Sequence, residues 1–281
     1  MKTFRLTSLA GTTAVALAAL AGVAAVAPAQ SIASRVARVS NGTVRMSFAA
    51  KPGICGSGNS IMHSNGRGRT TWGDNRNRSR DVEWESDCSL GPARIVLDRR
   101  NGELADLRFY VGGRWRPAGS DVVDLGTVPA REAADYLTSI AQSEKGSMGE
   151  KAIFPATIAD SSNIWPTMLK IARNPDLPRS TRTQSVFWLG QAAGDAATAN
   201  LKDIVLDNSK DIVVDNSVDR EVREQAVFAL SQRPREEGVP ALISVARTNK
   251  DPEIRKKALF WLGQSHDPRA LDLFEELLTK K

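Results

Sequence analysis

Apolar and polar positions alternate with two different periods along this chain, and the change falls near residue 127. Thr43-Val44-Arg45-Met46-Ser47-Phe48 alternates residue by residue, the pattern of a half-buried strand. Arg94-Ile95-Val96-Leu97-Asp98 and Leu107-Arg108-Phe109-Tyr110-Val111 flank Asn101-Gly102, which predicts a hairpin, and Gly112-Gly113 and Pro117 then break the pattern. Further on the period is helical. Ile254, Ala258 and Leu262 share one face, as do Leu271, Phe274 and Leu278 on the next segment. Val222, Ala226 and Leu230, followed by Val239, Leu242, Ile243 and Ala246, repeat the arrangement upstream. Asp251-Pro252 and Asp267-Pro268 predict helix starts, with Asp219 in the same role one unit earlier.

The helical part repeats itself. Phe187-Trp188-Leu189-Gly190-Gln191 recurs letter for letter as Phe260-Trp261-Leu262-Gly263-Gln264, with Ala226-Val227-Phe228-Ala229-Leu230 between them in the same frame. Arg182, Arg223 and Arg255 align at spacings of 41 and 32. The longer spacing reflects a near-duplication of the stretch starting at Lys202 by the one starting at Lys210. An earlier copy starts near Glu150, with Ala152-Ile153-Phe154 in frame, giving about four units, each too small to bury its own core. Short polar turns make consecutive helices antiparallel, and such hairpins stack into a right-handed α-solenoid in which each unit covers its neighbour. The fold class expected is α+β in two domains: a small β-rich part over 30–126, then an α-solenoid over 127–281.

Asp251-Pro252-Glu253-Ile254-Arg255-Lys256-Lys257-Ala258-Leu259, then a Leu-Gly pair and Asp267-Pro268-Arg269-Ala270-Leu271, resembles the HEAT-like repeat of the phycobilin-lyase type. That repeat also occurs in deoxyhypusine hydroxylases and in exported bacterial scaffold proteins. The resemblance spans roughly 149–281. It implies a fold, and a ladder of Asp and Arg between units in which Asp219 joins Arg223 and Asp251 joins Arg255; Gly149 stands where the first unit should carry its Arg. The hydroxylases hold iron through His-Glu dipeptides, whereas His63 and His266 are followed here by Ser64 and Asp267. A lyase would meet its chromophore in the cytoplasm.

The first residues point elsewhere. Lys2 and Arg5 precede an uncharged stretch from Leu6 to Val26, and Ala27-Pro28-Ala29 offers small residues at the two positions an export peptidase reads, so 1–29 is expected to be a signal peptide cut before Gln30. An uncleaved membrane anchor is the alternative reading of that stretch. The expected destination is the periplasm or the medium. There the only cysteines, Cys55 and Cys88, are expected to pair, closing a loop of about 33 residues. Such a closure contributes about 3.7 kcal/mol by chain entropy.

Charge narrows the remaining chemistry. The 281-residue chain carries 38 Lys and Arg against 32 Asp and Glu, and 15 of the former against 10 of the latter lie between Ser31 and Val128. Arg67, Arg69, Arg76, Arg78 and Arg80 surround Trp72, a composition that grips anionic glycans or lipid headgroups, with nucleic acid a lesser possibility; Asp81, Glu83, Glu85 and Asp87 follow and could neutralise it internally. Asp203, Asp207, Asp211, Asp215 and Asp219 recur every four residues, but on a helix they form one drifting stripe rather than a cage, so no metal is expected. Gly53, Gly56 and Gly58 lack the helix a nucleotide loop needs. No catalytic motif or cofactor loop is present.

These readings favour a non-enzymatic scaffold that binds a protein partner along its second helices, with Lys170, Arg173, Arg247, Asp272, Glu275 and Glu276 as contacts. Trp188 and Trp261 are expected to pack between helices. The rival is an enzyme, or a subunit of one, with its site around Cys55, Ser57, Ser60 and His63 in the β-rich part.

Overall fold

The computed structural model describes residues 30–57, 60–64, 69–72, 83–85, 91–143, 146–160, 162–191, 195–206 and 216–279. A short helix, α1 (Ile32–Ala37), opens the described chain; Ser31 caps it, and Ile32 and Val36 are buried. Strands β1 (Gly42–Phe48), β2 (Ile54–Ser57), β3 (Ser60–Ser64), β4 (Arg69–Trp72), β5 (Trp84–Glu85), β6 (Ala93–Arg100), β7 (Glu103–Val111), β8 (Arg114–Trp115) and β9 (Val122–Thr127) follow. Seven of them form one sheet in the order β4-β3-β2-β7-β6-β1-β9, and β5 pairs with β8. Every pairing is antiparallel except β1 with β9.

The predicted alternation sets the two faces. Val44, Met46 and Phe48 of β1 and Ile95 and Leu97 of β6 are buried, while Arg45 and Ser47 take the other face. The β6–β7 hairpin turns on Asn101 and Gly102, at φ +53° and +83°, between the paired Arg100 and Glu103. Both central residues at positive φ match the sheet's right-handed twist. Two elements carry too little pattern to be read in advance. α1 is only six residues long, and β9, with a single buried residue, Leu125, lies at the sheet edge.

Helices take over at Ala130: α2 (Ala130–Ser143), α3 (Ser147–Thr157), α4 (Trp165–Arg173), α5 (Arg179–Gln191), α6 (Asp195–Leu206), α7 (Asn216–Ser231), α8 (Arg235–Thr248), α9 (Pro252–Ser265) and α10 (Pro268–Thr279). The last eight make four hairpins, the number the repeat implied, and α2 packs in front of them on α3. First helices stack in the order α3, α5, α7, α9 and second helices in the order α4, α6, α8, α10. Asp251 caps α9 as predicted, accepting from the Glu253 amide at 3.0 Å. Asp219 does not cap α7, which already begins at Asn216.

The sheet closes one end of this stack. Ala50 bridges to Ala159, the Lys51 amide donates to the Ile158 carbonyl at 2.8 Å, and Lys51 Nζ donates to the Thr157 carbonyl. Lys151 of α3 reaches Asp106 of β7 at 2.6 Å, and the rings of Phe109 and Phe154 lie 5.2 Å apart. One apolar core therefore runs from Ile32 to Leu273.

The duplicated pentapeptide shows what stacking demands. At Gly190 a Cβ would lie 2.8 Å from the Cβ of Ala229 and 3.0 Å from its Cα, so only glycine lets α7 approach. At the equivalent Gly263 nothing lies within 4 Å. Gly190→Ala is expected to destabilise the protein by about 1–2 kcal/mol, overpacking outweighing the gain in helix propensity. In dilute solution, where only contacts within one chain count, Gly263→Ala is expected to stabilise it by about 0.5–1 kcal/mol. Chemical denaturation of the two variants should show opposite signs.

Candidate interaction surface of the solenoid

Aromatic side chains form a continuous file from the sheet to the last hairpin. Ring centroids lie 4.5 Å apart in Phe154 and Trp188 (tilted), 4.9 Å in Trp188 and Phe187 (edge-on), 6.3 Å in Phe187 and Phe228 (stacked), 5.1 Å in Phe228 and Trp261 (tilted) and 5.1 Å in Trp261 and Phe260 (edge-on). Both tryptophans are half-buried packing residues, as expected. The residue left in solvent is Phe260, 55% exposed. Beside it a groove of about 630 Å³ crosses α5, α7 and α9, floored by Phe228 and Trp261 and walled by Thr183, Gln225, Glu224 and Lys257. Its charges are paired: Glu221 with Arg179 at 2.7 Å and Glu224 with Lys257 at 3.1 Å. An apolar floor under a compensated polar rim is the layout of a protein-docking patch.

Polar clamps hold the units in register. Arg233, almost fully buried, donates to the Thr198 hydroxyl at 2.9 Å, to the Gly190 carbonyl at 3.3 Å and to Glu237 at 2.9 Å. Hydrogen bonds from Thr198 and Arg233 hold the Glu237 carboxyl below its ordinary range. Asn249 donates to the Val205 carbonyl at 2.9 Å, and Arg182 to the Ala172 carbonyl at 3.2 Å. At Asp251 the Asp–Arg ladder runs to partners other than the one the resemblance implied, and the side chain of Asp219 lies outside the described residues. Asp251 lies 3.7 Å from Arg223 and 3.5 Å from Arg220 of the preceding unit, while Arg255 donates to the backbone carbonyls of Asn249 and Lys250. The Asp251 carboxylate is drawn back by its own capping bond, so it meets the unit before it rather than the arginine one turn ahead.

Each predicted contact has a place. Lys170 and Arg173 are exposed on α4; Arg247 on α8 and Asp272 and Glu275 on α10 are exposed as well; Glu276 is half-buried and ion-paired with Arg247. They belong to the second helices, so they do not join the groove, which the first helices build. The groove was missed because its signal, the phenylalanine beside each tryptophan, reads equally well as core.

The basic cluster falls largely outside the described residues: Arg67, Arg76, Arg78, Arg80 and Cys88 are not among them, and Arg69 and Trp72 are described only as backbone in β4. Cys55 is buried on β2. It pairs in register with Met62, whereas His63 pairs with Ile54, one position away, and the side chain of His63 lies outside the described residues. Ser57 pairs with Ser60. Of the aspartate series only Asp203 has a described side chain, exposed on α6, and no group of three metal-ligating side chains occurs among the described residues.

The sheet's outer face carries partnered cations that the composition alone did not single out. Arg45 and Arg94 sit 5.1 and 5.7 Å from the Trp115 ring, and Arg45 bonds Asp124 at 2.7 Å. Arg108 is held by Glu83, Asp98 and Asp106. Burial raises the Asp98 carboxyl, but hydrogen bonds from Arg108 and Thr43 outweigh it and leave the group below its ordinary range.

Residues 213–281 match the family model of HEAT repeats. No curated protein matches the chain. HEAT repeats commonly serve as protein-interaction scaffolds, and no helix among the described residues is long and apolar enough to cross a membrane.

Two stability tests follow from the clamps. Arg233→Ala strands Glu237 and Thr198 and should cost about 3 kcal/mol, seen as a lower midpoint in urea, against a near-neutral Arg247→Ala at the exposed pair. The bidentate bond from Arg269 holds the Asp267 carboxyl at about 2, below its ordinary 3.8. Its contribution is therefore complete above pH 4 and disappears as pH falls from there through about 2. Asp267→Asn should lower stability at pH 7 while flattening the acid limb of the stability profile.

Proposed function

We propose that the protein is an exported, non-enzymatic scaffold whose solenoid docks a protein partner in the cell envelope. The observation that carries this reading is the aromatic-floored groove across α5, α7 and α9, set on a stack of HEAT-type hairpins. The charged residues of the second helices, Lys170, Arg173, Arg247, Asp272, Glu275 and Glu276, offer a second contact strip on the same stack. Export rests on the basic start, the apolar stretch and Ala27-Pro28-Ala29. It accords with α1 beginning at Ile32, the third residue of the proposed mature chain. A disulfide between Cys55 and Cys88 belongs to the same proposal, supported by the even cysteine count and the burial of Cys55.

Two measurements test it. Amino-terminal sequencing of protein from fractionated cells should begin at Gln30, and a non-reducing peptide map should join Cys55 to Cys88; an intact amino terminus in the cytosol would refute export. A photo-crosslinker at Gln225 should capture a defined envelope protein, and Thr183→Arg, which fills the groove, should abolish capture without lowering helicity. Capture unchanged by Thr183→Arg would remove the groove from the account.

A further inference from the structure

The last described hairpin, α9–α10, presents a face built like an interior interface. Taking the repeat frame, Val239 and Ala246 of α8 correspond to Leu271 and Leu278 of α10, and Phe187 and Gly190 of α5 to Phe260 and Gly263 of α9. Val239 and Ala246 are 3% and 6% exposed; Leu271 and Leu278 are 63% and 86% exposed. Gly190 is buried under Ala229, and Gly263 has open space. The residue types have not followed the change of surroundings. A terminal repeat that faced only water would be polar there, and a mid-helix glycine with nothing against it costs about 1 kcal/mol relative to alanine. Instead the face keeps the phenylalanine and glycine letter for letter and carries larger aliphatic groups than its buried counterpart.

From this continuity with the stacking interface we infer that the α9–α10 face is covered by a second copy of the chain, tail to tail about a two-fold axis. The opposite end of the stack cannot supply the cover, because α2 and the sheet already occupy it. A two-fold interface needs both halves of each contact on one patch. This patch has them: large side chains at Phe260, Leu271 and Leu278 with a recess at Gly263, and an exposed cation, Lys256, with exposed carboxylates at Asp272 and Glu275. Crossing α9 of one copy over α10 of the other brings Lys256 towards the partner's carboxylates and the leucines towards the glycine recess. The patch shares Phe260 and Lys256 with the rim of the groove and does not depend on export.

Sedimentation equilibrium of the full protein across a concentration series tests it. The wild type should pass from monomer to a species of twice the mass. Leu271→Asp with Leu278→Asp should weaken that association by at least about tenfold. Gly263→Arg should do the same, and because its side chain has free space in the monomer it should keep the wild-type helicity and, at a dilution where both are monomeric, the wild-type Tm. Val123→Asp, at the exposed β9 edge, should leave the dimer intact. A wild type that stays monomeric throughout, or a dimer indifferent to both α9–α10 variants, would overturn the inference; so would assembly beyond a dimer, since a two-fold contact closes.

Discussion

Everything in the helical part depends on consecutive first helices coming close enough to share their apolar cover. The approach of α7 to α5 is set by one atom that is missing: no Cβ stands on Gly190, and Ala229 fills the space. Around that contact the aromatic file from Phe154 to Phe260 adds broad, half-buried surface. Buried polar groups such as Arg233 and Asn249 fix the vertical register by bonding to backbone carbonyls of the preceding unit. Hydrophobic cover supplies most of the stability, whereas these directional bonds choose one stacking among several that grease alone would allow.

A stack of hairpins has two ends, and the two are treated differently here. At one end the sheet acts as a lid: Phe109 extends the aromatic file into β7, the Ala50–Ala159 bridge joins strand-like backbone to the α3–α4 turn, and Lys151 pairs with Asp106. At the other end α10 turns leucines outward. The groove lies toward that second end, across α5, α7 and α9, with most of its lining on α7 and α9.

Much of the fold was legible because it rests on periodicity. The alternation through Val44, Met46 and Phe48, the Asn101-Gly102 turn and the capping pairs Asp251-Pro252 and Asp267-Pro268 each carry their own local physics, and repetition multiplied the helical signal. What escaped notice lacks a period: α1 is too short to show one, β9 is recruited in parallel by a distant strand, and the sheet-to-helix seam is made by residues more than forty positions apart. Leu271 and Leu278 fit the expected helical stripe yet face solvent, because periodicity identifies a face without saying whether anything covers it. The candidate site was least readable. Phe260 and Phe187 are the same letter in the same word, and only what lies against each makes one packing and the other surface.

The central claim is that each hairpin owes its order to the next. Native-state hydrogen exchange on the full protein carrying Leu262→Ala, a fully buried position of α9, tests it most directly. Amide protection should fall in α7 and α8 as well as in α9 and α10, since α8 and α9 cover each other. Loss of protection confined to α9 and α10, with α7 and α8 exchanging as in the wild type, would contradict it.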